Sequence, residues 1–422
     1  MSTASSAAAP RTPVGAIAIV GALFFIFGFV TWLNGPLISF AKLAFNVDDK
    51  LAFLIPSAFY LSYFFLALPS SAILRKTGMK KGMALGLFAM AIGAAVFGQF
   101  TTGRVYAGAV TGVFVIGAGL AILQTASNPY ISILGPIEGA AQRIAIMGIC
   151  NKLAGMLAPL AMGALVMHGL DDFSARVAAA DAVGKEQLLN DFAARVHDPY
   201  MAMAGLLALL AVGILFSPLP ELRAEDVNAD SGSGAGRTSI FQYPHVWLGA
   251  LCIFVYVACE VMAGDAIGTY GAGFNLPLDQ TRFFTSFTLG AMLVGYLTGL
   301  VLIPRVISQE RWLAVSAVLG VLLTVGAYVT HGMASVACVA ALGFANAMMW
   351  PAIFPLAIQG LGRFTERGSA LLIMGISGGA VVPQLFVHLK DTLDFQLVFL
   401  LLMVPCYLYI LFFATRGHNV GR

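Results

Sequence analysis

Charge is scarce in this chain. Of 422 residues, 23 are Lys or Arg and 20 are Asp or Glu, 10% in all, where a soluble domain carries about 25%. That excludes an ordinary soluble protein of this length. The net charge of +3 calls for neither nucleic acid nor an acidic partner. Cysteine is scarce too. Cys150, Cys252, Cys259, Cys338 and Cys406 are odd in number and lack metal-type spacing, so they read as small apolar packing residues. His168, His197, His245, His331, His388 and His418 fall near helix ends or in loops, again without metal-site spacing. No phosphate-binding loop is present, which argues against a nucleotide-driven pump. No cofactor is expected, and no metal other than sodium at Glu260 as an alternative to a proton.

Apolar runs are what the chain has instead. Hydrophobic residues make up 59% of it and mean hydropathy is +0.88. A hydrocarbon core of about 30 Å takes ~20 helical residues. Twelve such helices are expected, at 14–39, 50–74, 82–102, 104–134, 143–168, 199–219, 243–273, 280–304, 312–330, 333–361, 368–389 and 393–415. The first run is long and continues into Thr31–Pro36 (TWLNGP), which predicts a membrane helix rather than a cleaved signal peptide.

Lys and Arg in the short loops orient the spans. Fourteen fall on one side and eight on the other, with Lys152 left inside a span. The richer side is expected to be cytoplasmic, with both termini there. Residues 1–13, Ala- and Ser-rich, read as a disordered cytoplasmic N-terminus. Then come a six-helix half over 14–219 with a periplasmic loop at 169–198, a cytoplasmic linker at 220–242, a second half over 243–415 and a tail at 416–422. The loop is polar and helix-prone and predicts an amphipathic surface helix or pair, with a gate over the outer mouth as the sharper alternative.

The halves echo each other. Asn128-Pro129 in the fourth span precedes a loop ending at Arg143 and then Ile146–Ile149 (IMGI). Trp350-Pro351 in the tenth precedes a loop ending at Arg367 and then Ile373–Ile376 (IMGI). Two related bundles with a midplane site between them is the usual plan of a secondary transporter.

Few polar groups lie inside the spans, and those few are expected to carry function. Glu260 and Asp265 are carboxylates in the seventh span, candidates for binding a coupling cation. Regular helical geometry sets them about 140° apart, so they share a site only if the helix unwinds near Gly264. Lys152 reads as a counter-ion. Gln124 and Asn128, four apart, share a helix face with Thr125 beside them. Their amides supply the donor and acceptor that sugar hydroxyls need. With Asn34, Asn346 and Gln384 they form the expected sugar-binding set. Trp32 and Trp350 are expected stacking platforms for a pyranose, and Tyr60 and Tyr63 plausible walls. Gly375–Gly379 (GISGG) fits the hydrolase elbow pattern, but that elbow needs a strand-to-helix turn. In a membrane span small residues permit close helix packing instead.

Several segments together are distinctive: Phe27–Leu37 (FGFVTWLNGPL), Ser57–Phe64 (SAFYLSYF), Gly119–Tyr130 (GLAILQTASNPY), Leu134–Glu138 (LGPIE), Ile146–Ala154 (IMGICNKLA) and Tyr256–Asp265 (YVACEVMAGD). Through them the chain resembles the fucose/glucose–galactose branch of the major facilitator superfamily. The resemblance covers nearly the whole chain. It implies an all-α, twelve-helix membrane protein in two pseudo-symmetric bundles, cation-coupled sugar uptake across a bacterial inner membrane, and a place for Asn151 near substrate. The fucose–proton symporters of that family carry carboxylates where this chain has Gly35 and Gln124, which moves any coupling site elsewhere.

The expected function is therefore hexose import of the glucose/galactose type, coupled to a proton or sodium ion, by a chain working as a monomer in the lipid bilayer and not an enzyme. An N-acetylglucosamine permease is the alternative within the family, and a non-transporting sugar sensor the alternative from another class.

Overall fold

The computed structural model describes residues 14–134, 140–221, 238–303 and 305–421. Residues 1–13, most of the expected linker (222–237) and most of the 134–138 motif lie outside the described residues. Among the described residues, twelve helices are long and apolar enough to cross a membrane. They are α1 (Gly15–Ala44), α2 (Asp49–Thr77), α3 (Met79–Thr102), α4 (Tyr106–Ile131), α5 (Gln142–Leu165), α6 (His197–Phe216), α7 (Pro244–Gly264), α8 (Leu278–Leu302), α9 (Gln309–Val329), α10 (Gly332–Ile358), α11 (Arg367–Leu389) and α12 (Phe395–Thr415). Each matches an expected span to within about five residues, except that α7 stops at Gly264 where the expected span runs to 273.

The turns between them have local causes. Asn46 and Arg104 adopt left-handed backbone at the α1–α2 and α3–α4 corners. Asp48 and Asp394 accept backbone N–H bonds from Leu51 and Leu397, capping the starts of α2 and α12; each side-chain oxygen takes an otherwise orphaned donor. The expected 169–198 loop is a pair of helices, Leu170–Ala179 and Ala182–Ala194. Phe173 stacks on Phe192, which in turn meets Phe40 of α1.

Burial separates central from peripheral helices. The most apolar windows of α10 and α11 are 67% and 72% buried, against 28% for the window that includes α6. Phe64, Phe65 and Leu68 of α2 and Leu85, Phe88 and Ile92 of α3 face outward, which lipid tolerates where water would not. Where backbones approach closely the residue is glycine. A Cβ on Gly112 would sit 2.5 Å from the Phe97 nitrogen, and one on Gly119 would sit 2.5 Å from the Gly86 oxygen, so α3 and α4 touch through glycines.

α1 and α7 are each broken, and their breaks meet. α1 is interrupted at Leu33, between Val14–Trp32 and Asn34–Ala44. Pro36 lacks the N–H that would bond the Trp32 carbonyl, and its ring crowds that oxygen. α7 stops at Gly264, the position where the two carboxylates could share a site only if the helix unwound, and resumes at Ile267–Ala272. There the Val261 carbonyl accepts from both Asp265 N and Ala266 N, a local π-type turn. Gly264 packs on the Trp32 ring and Gly35 on Asp265. Any side chain at either glycine would force the crossing apart.

Candidate functional site

A cavity opens below this crossing, between the halves. The internal repeat builds it symmetrically. Asn128 of α4 and Trp350-Pro351 of α10 line it, as do Gly148 of α5 and Ile376 of α11. The corresponding segments of the two halves therefore flank one space.

At its centre Lys152 and Glu260 bridge the halves, Nζ to Oε1, at 2.8 Å. Their side chains are 8% and 12% exposed, so the pair is largely removed from solvent. Lys152 also stands 4.4 Å from the centroid of the Trp32 ring, a cation–π contact. The sequence leaves Glu260 as either an unpaired cation site or an ion-pair partner, and the structure pairs it. Around the pair, Gln124 donates from Nε2 to the Tyr63 hydroxyl at 3.0 Å. Trp32 Nε1 donates to Asn151 Oδ1 at 3.4 Å. A face of aromatic rings is thus interleaved with amides and one charge pair, a lining suited to a neutral polyol with an apolar face.

Of the expected site residues, Trp32, Gln124, Asn128, Asn151, Lys152, Glu260 and Trp350 reach the cavity, with Tyr60 and Tyr63. The two tryptophans are not equivalent. Trp32 is 2% exposed, its ring held between Lys152, Gly155 and Gly264. Trp350 stacks on Phe354 at 5.6 Å and stays partly accessible, so of the two it is the ring open to a ligand in the cavity.

Four expected residues lie elsewhere. Asn346 is fully buried and accepts from the Tyr407 hydroxyl at 2.9 Å; it turns toward α12 and fastens that contact. Gln384 donates to the Lys50 carbonyl at 3.3 Å, far along α11 from the cavity. Asn34 is buried at the α1 break. None of these three amides is among the residues that line the cavity. Asp265 sits behind the wall, bonded through Tyr60. Missed by the sequence reading are Phe24, Phe27, Thr31, Tyr256 and Tyr296. A signal existed for some of them: Tyr256 is four residues before Glu260, and Phe24, Phe27 and Thr31 share one helix face at three- and four-residue spacing.

The end of the molecule away from the start of α1 is sealed by contacts between the halves. Asp49 meets Lys390 at 2.6 Å, and Lys50 meets Asp391 at 2.7 Å. Lys42 adds a second cation on Asp49 at 2.6 Å. Ser57 donates to the Ala380 carbonyl at 3.2 Å and Ser286 to the Met156 carbonyl at 2.9 Å. Arg282 reaches the Met167 carbonyl. Asp391 lies beyond the spans, and Lys50 holds its carboxyl below the usual carboxylate range. Since Asp49 joins two lysines, Asp49→Asn is expected to loosen this end. A cysteine at Ser57, buried in the wild type, should then be labelled faster by a membrane-impermeant thiol reagent applied from that side. Unchanged labelling would show that the ion pairs do not hold the seal.

With this geometry in view, the comparisons fall into one pattern. The family model of the Major Facilitator Superfamily matches residues 20–383. The chain is 35% identical over 405 residues to a glucose/galactose transporter of Brucella abortus biovar 1 (strain 9-941), covering 94% of this chain and 92% of that protein. It is 27% identical over 413 residues to the L-fucose-proton symporter of Escherichia coli (strain K12), covering 96% and 93%. The fold is similar to the crystal structure of the major facilitator transporter FucP in the outward conformation, with a TM-score of 0.76 at 24% identity, covering 96% of this chain and 99% of that one. The duplicated helices, the crossing of α1 with α7 and the cavity between the halves accord with these matches: this chain belongs to the Major Facilitator Superfamily.

Proposed function

We propose that this protein is a sugar–cation symporter that imports a hexose of the glucose/galactose type across a bacterial inner membrane. The observation that carries this reading is the cavity itself, in which amides, tyrosines and an accessible tryptophan surround a single buried charge pair. Such a lining offers a neutral sugar both a stacking face and paired hydrogen bonds. Sugar specificity in the relatives supports it, since one is named a glucose/galactose transporter and another an L-fucose-proton symporter. The Lys and Arg bias supports a cytoplasmic side for both termini. The sealed end then faces the periplasm, and the cavity belongs to the inward-facing half of an alternating-access cycle. Residues 14–219 and 243–415 act as the two moving bodies, and a single chain is the functional unit. Glu260 and Asp265 are the carboxylates available to the coupling cation.

The test is uptake of radiolabelled sugar into proteoliposomes with imposed proton or sodium gradients and a panel of glucose, galactose, fucose and N-acetylglucosamine. Net accumulation of glucose or galactose is the expected result. Saturable binding with no uptake would instead make the chain a sensor, and accumulation of N-acetylglucosamine alone would move the substrate class. Within the same assay Gln124→Ala is expected to weaken sugar affinity about fivefold, the value of one neutral hydrogen bond of about 1 kcal/mol. Wild-type affinity in a well-expressed variant would remove Gln124 from the site.

A further inference from the structure

The two carboxylates of α7 stand in opposite electrostatic situations. Glu260 has its cation, Lys152, across the cavity. Asp265 is 2% exposed and, among the described residues, no cation lies within ion-pair distance of it. Its Oδ2 takes the Tyr60 hydroxyl at 2.8 Å, and its Oδ1 is buried against the Gly35 backbone with no side-chain partner. Around it are Gly35 of α1, Tyr60 of α2 and Thr285 of α8. The charged groups nearest to it, Glu260 and Lys152, neutralise each other. An ionised carboxylate buried without a counter-ion, with one oxygen lacking any side-chain donor, costs several kcal/mol. A proton on that oxygen removes the charge.

A metal cation fits poorly in the same place. The helix break frees the Ala263 and Gly264 carbonyls, which could have joined Asp265 in an oxygen shell. Thr288 Oγ1 already donates to Ala263 O at 2.7 Å, and Thr285 Oγ1 to Gly264 O at 2.7 Å. A dehydrated ion needs several oxygens to replace its water, and here each of these two backbone oxygens already accepts a threonine hydroxyl, which leaves it a single lone pair.

The structure assigns the coupling ion to a proton held on Asp265, with the Tyr60 hydroxyl as its link to the sugar cavity. This rests on the symporter reading above and adds to it the identity of the ion and of its carrier. Tyr60 is the connecting group because it does both things: it bonds Asp265 and lines the cavity. On release, the Tyr60 hydroxyl turns from Oδ2 toward the cavity, and the Asp265 carboxyl, turned so that its proton faces Tyr60, gives that proton to the Tyr60 oxygen. Tyr60 gives its own hydroxyl proton to a cavity water. The net change is a carboxylate left on Asp265 and a hydronium ion in the cavity, with no bond to carbon altered. Sugar hydroxyls in the cavity displace the water that would accept this proton, so substrate and proton leave together.

The experiment uses the full chain in proteoliposomes with radiolabelled galactose, and a trapped pH dye to read proton entry. Wild type should accumulate galactose on a proton gradient, not on a sodium gradient alone, and should carry protons inward when galactose is added. Asp265→Asn should keep sugar counterflow and lose both accumulation and galactose-driven proton entry. Asp265→Glu, which retains an acid, should keep proton entry and decides the matter if the Asn variant does not fold. Accumulation by Asp265→Asn at the wild-type level overturns the assignment, as does a folded Asp265→Glu that carries no protons. Sodium-driven accumulation by wild type overturns the choice of ion. Absence of any galactose counterflow in wild type is a separate failure, of the substrate reading itself.

Discussion

Glu260→Gln is expected to lower the thermal midpoint of the purified protein sharply. The substitution leaves the Lys152 ammonium buried beside Trp32 without its carboxylate. Stranding one member of a buried pair costs about 3–5 kcal/mol. The second substitution in the cycle gives the opposite result. In Glu260→Gln/Lys152→Met no charge remains to be stranded, and most of the lost midpoint should return, since replacing both members of a buried pair is often neutral. Differential scanning of wild type, Glu260→Gln, Lys152→Met and the double variant in one detergent measures the coupling directly. Equal midpoints for the single and double variants would mean that Lys152 finds water or another partner when Glu260 is removed. The double variant also separates stability from binding. Folded but missing its charge pair, it should bind sugar at least about tenfold more weakly, because hydrogen bonds to charged groups contribute about 1.5–3 kcal/mol each.

Gly378→Ala is expected to be the more damaging of any two single-methyl additions made at exposed and buried glycines. A Cβ at Gly378 would overlap the Phe254 carbonyl oxygen of α7. The clash is with backbone, so no side chain can rotate away, and α11 has to move off α7. Overpacking of this kind costs about 1–3 kcal/mol or more. Gly213→Ala in α6 is the matched control, for nothing lies within 4 Å of a Cβ there. It should be neutral or stabilising by up to about 1 kcal/mol through helix propensity. The comparison is of expression level and thermal midpoint. Equal midpoints for the two variants would show that the α7–α11 contact is looser than its geometry. The same glycine belongs to the GISGG segment. Its packing role accounts for the small residues there, and Ser377 is buried at that contact.

Much of this molecule is legible in the sequence because the bilayer imposes simple rules. Span length follows from hydrocarbon thickness, so the twelve helices emerge from apolar runs alone. The duplication shows because the two halves repeat IMGI after matching loops, and the structure sets those segments on the same cavity. Even the break in α7 is foreshadowed by Gly264 between two carboxylates on different faces. Side-chain destination is what these rules leave undetermined. Gln124, Asn128, Asn346 and Gln384 are all intramembrane amides with similar prospects by composition. Only the packing of α10 on α12 and of α2 on α11 turns Asn346 to Tyr407 and Gln384 to the Lys50 carbonyl. Likewise Glu260 and Asp265 look alike along one helix, five residues apart. One meets Lys152 and the other Tyr60 because α5 and α2 approach α7 from different sides. Sequence determined the spans, the duplication and the inventory of buried polar groups, since each depends on local transfer to lipid. Tertiary structure alone decided which of those groups are paired, which face the cavity and which carboxylate is left without a cation, because a partner from a distant helix is set by helix crossing and rotation and not by any local pattern.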